Sequence, residues 1–127
     1  MYRTIMRLTF EPTLGVGPGA KTQIDVVERS GDNHMLKLNV SSEEGEKTTT
    51  KREISSIEVE KLVGLLTTTA ITALPLGQLV CDGTFITLEL NYWGISSKFT
   101  WPSVAPESWG VLEEVVRRLR ALAGIAE

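Results

Sequence analysis

The chain has 127 residues, 42% of them hydrophobic and 23% charged, and a formal net charge of −3. This composition excludes wholesale disorder, and the length suits a single domain, residues 1–127, that buries about two-thirds of its unfolded surface without disulfides or metals. A single cysteine excludes an internal disulfide, and with a single histidine it excludes a Cys/His zinc site by number.

The mild negative charge and the scattered basic residues argue against a nucleic-acid partner, because phosphate binding needs a clustered positive field. Met1 to Arg7 lacks the apolar run of a signal peptide, and no stretch approaches transmembrane length. The expectation is a cytoplasmic protein with no membrane partner.

In chain order, Met6, Leu8 and Phe10 alternate with Arg7, Thr9 and Glu11, the period of a half-buried strand. Ile24 and Val26 alternate with Asp25, and Val27 makes that segment apolar on both faces. Leu36, Leu38 and Val40 alternate with Lys37 and Asn39 after the turn formers Ser30-Gly31-Asp32-Asn33, where His34 falls at the predicted turn. Thr48 to Glu53 is β-prone but polar, which suits an edge strand guarded by its charges.

Then the period changes. Ser55 and Glu58 form a capping-box pattern, with Ile54 and Val59 spaced as a hydrophobic staple. Val59, Leu62, Val63, Leu66 and Ala70 share one helical face, and the threonines at 67–69 predict the helix end. Ile71 to Val80 reads as an irregular apolar crossing broken by Pro75 and Gly77.

A second hairpin follows. Ile86, Leu88, Leu90 and Tyr92 alternate, Trp93-Gly94 marks the turn, and Ile95, Ser97, Phe99 and Trp101 line one face of the return strand. Pro106 and Glu107 suit the first turn of a last helix, whose apolar arc runs from Trp109 through Leu112, Val115, Val116 and Leu119 to Leu122 and Ala123. Glu113–Arg117 and Glu114–Arg118 are spaced as outward ion pairs, and Gly124 is a C-terminal stop. Trp101 and Trp109 are expected to meet in the core.

The reactive candidates are few. Gly15 to Thr22 nearly matches a phosphate-binding loop, but Ala20 replaces the second required glycine and the continuation from Gln23 is strand-like, so an inter-strand loop is the expectation. Nothing in the sequence joins Cys81 to His34 as nucleophile and base. Asp82 belongs to an Asp-Gly turn, and Glu89 alternates outward from its strand. No catalytic residue, cofactor or metal ligand is therefore assigned. Candidate partner-contact residues are Glu43, Glu44 and Glu46 in an acidic loop, and Trp93 at a hairpin tip.

The expected fold is α+β, an antiparallel sheet of about six strands with two helices on one face. Four strands come first, then a helix, a hairpin and a C-terminal helix. Periodicity leaves open whether the C-terminal hairpin joins the N-terminal sheet.

The run Asp82-Gly83-Thr84, the strand pair, Trp101, Pro106, Trp109 and the closing amphipathic helix resembles small uncharacterised bacterial α+β proteins. Some of these are similar to immunity proteins encoded beside secreted interbacterial toxins. The resemblance spans roughly residues 54–124 and rests on turn and core positions. It implies a non-enzymatic protein that neutralises a cognate toxin by occlusion. The alternatives are a homodimeric assembly module formed through the edge strand and Trp93, and, after that, an enzyme of unrecognised type or a small-ligand binder using the groove between helix and sheet.

Overall fold

Alternation of apolar side chains builds a six-stranded antiparallel sheet. The strands are β1 (Arg3–Pro12), β2 (Lys21–Glu28), β3 (His34–Ser41), β4 (Lys47–Ile54), β5 (Thr84–Tyr92) and β6 (Ile95–Pro102). Helix α1 spans Ser56–Thr67, and α2 spans Gly110–Ala123 after a short 3₁₀ turn at Glu107–Trp109. The computed structural model describes residues 3–12, 21–29, 33–41, 46–68, 70–72, 84–92, 94–102 and 105–124.

The strand order is β4-β3-β2-β1-β5-β6. The first four strands form a meander, and α1 lies between β4 at one edge and β5, which pairs with the far side of β1. The C-terminal hairpin therefore continues the N-terminal sheet. Its register is set by matching apolar residues, with Met6 opposite Leu90, Leu8 opposite Leu88 and Phe10 opposite Ile86.

One face of the sheet is apolar. Leu8, Ile24, Leu36, Leu88 and Trp101 pack there with Val59 and Leu62 of α1 and with Leu112, Val115 and Leu119 of α2. Each such aliphatic side chain contributes about 1.5–3 kcal/mol by leaving water. Both helices lie on this face because each has one apolar stripe to bury. Among the described residues, no helix is long and apolar enough to cross a membrane.

The helix ends follow their local chemistry. Ser55 accepts a hydrogen bond from the Glu58 amide at 3.2 Å and caps α1. Ser55→Ala is expected to cost about 1 kcal/mol in urea denaturation, and an unchanged midpoint would dismiss the cap. At the other end, the Thr67 and Thr68 hydroxyls both donate to the Gly64 carbonyl, drawing the backbone out of the helix. Ala70, expected on the buried stripe, is exposed beyond that end. Gly124 stops α2 with φ of 77°, a left-handed conformation that suits glycine.

The tryptophan pair forms as expected. Trp101 and Trp109 meet edge to face with ring centroids 6.0 Å apart, and Phe99 joins them at 5.5 Å from Trp109. Glu113 departs from its expected partner. It turns toward the sheet, where one carboxylate oxygen accepts from Trp101 Nε1 at 3.2 Å and from the Ala105 amide at 2.7 Å. Glu114 instead takes both arginines, Arg117 and Arg118. A carboxylate one turn into the helix reaches back to a buried indole and a half-buried amide, and charge-assisted hydrogen bonds to such donors outweigh an exposed ion pair.

Candidate functional site

The face of the sheet opposite the helices is built from the other half of each alternation, and it is mainly polar, with Phe85, Val27 and Met35 as apolar members. Cross-strand register aligns these residues in rows perpendicular to the strands. One row runs Lys98, Glu89, Arg7, Asp25, Lys37 and Lys51, from β6 across to β4. The row beside it runs Thr100, Thr87, Thr9, Gln23, Asn39 and Thr49.

At the centre of the charged row, Arg7 Nε donates to Asp25 Oδ1 at 2.9 Å and Nη2 to Oδ2 at 3.5 Å. Gln23 Nε2 donates to the same carboxylate at 3.2 Å. Asp25 is only 4% exposed, while the Arg7 side chain reaches solvent. The hydrogen bond with Asp25 raises the Arg7 guanidinium above its ordinary value, burial opposes this, and attraction to Asp25 and Glu89 adds to it. The buried carboxylate is thus held by a bidentate cation and an amide, as an interior charge requires.

The polar row is tied together as well. The Thr87 and Thr100 hydroxyls are 3.2 Å apart, and Thr49 Oγ1 donates to Asn39 Oδ1 at 2.8 Å. Thr9 is buried beside them. At one end of the face Val27 and Met35, paired in register, are both buried, so the apolar character read for Val27 on this side holds.

This arrangement is not visible along the chain, because each residue on its own is an ordinary outward position of a strand. The signal available was Asp25 between Ile24 and Val26 in a segment apolar on both faces. Glu89 does alternate away from the helices, as expected, but it stands half-buried opposite Arg7. His34 is corrected from turn to strand. It opens β3 opposite Glu28, with Nε2 3.9 Å from the Glu28 carboxylate.

Of the expected partner-contact residues, Glu46 is exposed immediately before β4. Glu43, Glu44 and Trp93 lie outside the described residues, as do Cys81, Asp82 and the 13–20 segment that holds most of the glycine-rich stretch. That stretch leads into β2, a strand where a phosphate-binding loop would enter a helix. Among the described residues, no three His, Cys, Asp or Glu side chains converge to hold a metal ion.

On the helix side, an apolar cleft of about 430 Å³ opens between α1 and the β1-β5-β6 end of the sheet. Ile5, Met6, Val63, Leu66, Tyr92 and Ile95 line it, and Ile95 is 71% exposed. A register shift between Thr4 and Met6 places a bulge at Ile5, so that Ile5 and Met6 are both buried there. The chain matches no protein-family model, and no curated protein matches its sequence.

Proposed function

We propose that this protein is a non-catalytic binding module that recognises another protein through the face of its sheet opposite α1 and α2. The observation that supports the reading is the ordered polar surface there, in which Asp25, Arg7 and Gln23 lock one another while Lys98, Lys37 and Lys51 extend the same row to both edges. A rigid sheet with pinned side chains meets a partner at small entropic cost, and alternating charge favours one partner over others. An immunity role, neutralising a bacterial toxin by occlusion, is the specific form implied by the resemblance of residues 54–124. Glu43, Glu44, Glu46 and Trp93 remain contact candidates in that form.

Affinity capture with paired baits tests the reading. A partner retained by the wild-type chain and by Glu60→Arg, on the exposed side of α1, is expected to be lost by Thr87→Arg, on β5 in the open face. Capture lost by Glu60→Arg and kept by Thr87→Arg would place recognition on the helices and refute the reading. Charge reversal at Glu43, Glu44 and Glu46 is expected to slow association in a salt-dependent manner, which stopped-flow measurement at two ionic strengths detects.

A further inference from the structure

We propose that the β3–β4 end of the open face, centred on Lys37 and Lys51, receives an acidic segment of the partner protein. This deepens the binding role argued above and rests on it.

Lys37 and Lys51 are directly opposite in the β3–β4 register. Side chains so placed have Cβ atoms about 5 Å apart, and like charges there destabilise the sheet. Neither lysine forms an ion pair with a described residue, because Asp25, the acid across from Lys37, is already held by Arg7 and Gln23. The next row along adds a donor. Asn39 Oδ1 is taken by the Thr49 hydroxyl, which leaves the Asn39 amide hydrogens to face outward acceptors. Lys47 follows on β4, two positions beyond Thr49 on the same face.

This end of the face is therefore rich in N–H donors and positive charge on a chain whose net charge is −3. Carboxylates complement it. An incoming acid would also relieve the Lys37–Lys51 repulsion that the isolated protein carries. A continuous polyanion fits less well, because Asp25 within the row and Glu53 two positions past Lys51 interrupt the positive track. An acidic protein surface, whose charges need not be continuous, is the matching chemistry.

The test is an NMR titration of the whole chain with a decaglutamate peptide at low ionic strength, beside an oligothymidylate of equal length. The peptide is expected to shift the amides of Lys37, Asn39, Thr49 and Lys51, and to bind at least tenfold more weakly to Lys51→Glu. That variant is expected to melt no lower than wild type, since it replaces a repulsive pair with an attractive one, so weaker binding cannot be blamed on unfolding. Shifts centred on Arg117 and Arg118, an affinity unchanged in Lys51→Glu, or oligothymidylate bound as tightly as the peptide would each overturn the proposal. The open-face reading fails separately, through the Thr87→Arg capture.

Discussion

Trp109→Ala is expected to lower stability by about 3–5 kcal/mol, the range for deleting a large aromatic from a packed core. Trp109 touches Phe99 and Trp101 edge to face, and its Nε1 donates to the Thr72 carbonyl at 2.7 Å. The substitution thus removes the contact between the 3₁₀ turn and β6, and also the hydrogen bond that ties residue 72, beyond α1, to the entry of α2. In a chain of this size the melting temperature should fall by roughly 10–20 °C. Trp109→Phe separates the two contributions in part: it keeps one aromatic ring but loses the Nε1–H donor and the volume of the second ring, so a loss between that of the parent and that of Trp109→Ala, about 2–3 kcal/mol, is expected. A Trp109→Ala protein that melts with the parent would remove the aromatic cluster from any account of the fold.

Arg7→Ala carries the second large effect, about 2–3 kcal/mol. Removing one partner of a fully buried pair costs about 3–5 kcal/mol, and here the solvent reached by Arg7 screens part of it. What remains is Asp25, 4% exposed, with Gln23 as its surviving hydrogen-bond donor. Replacing both partners, Arg7→Met with Asp25→Leu, should recover most of the loss, since the desolvated carboxylate is gone. Urea midpoints of Arg7→Met, Asp25→Leu and the double variant give the coupling directly. Additive losses would mean that the pair does not act as a unit.

The raised value of Arg7 also fixes a pH expectation. A cation whose value is higher in the folded state contributes stability that is complete below its unfolded value and is lost only as pH rises through the folded one. For a guanidinium that loss lies in strong alkali. The Arg7 contribution should therefore be flat across neutral pH, and a midpoint that tracked pH there would point to other groups.

Much of the architecture is legible in the residues themselves. Alternation along Met6 to Phe10, Ile86 to Tyr92 and Phe99 to Trp101 names the strands and their inward faces, because successive side chains of a pleated strand point to opposite sides and the apolar set marks the side turned to the core. The Ser55 cap, the stop at the threonines after Gly64 and the arc from Trp109 to Leu119 are equally local. The polar, charged run from Thr48 to Glu53 correctly marks an edge strand, which begins one residue earlier at Lys47, since unpaired backbone needs that protection.

The candidate site was not legible in the same way. Each member of the row from Lys98 to Lys51 sits on a different strand, and only pairing brings them into line. Glu113 is the instructive miss. Helical spacing offered it Arg117, but the indole of Trp101 comes within reach only after the hairpin has packed beneath α2.

What this sequence determined alone is the set of elements, the residues each one buries and the face each helix seeks, because these follow from periodicity and capping within a few residues. Tertiary structure decided that β5 pairs with β1, and so that two separate hairpin systems share one sheet and one polar face. The reason is that strand partners are chosen by complementary apolar surfaces far apart in the chain, a comparison no local window contains.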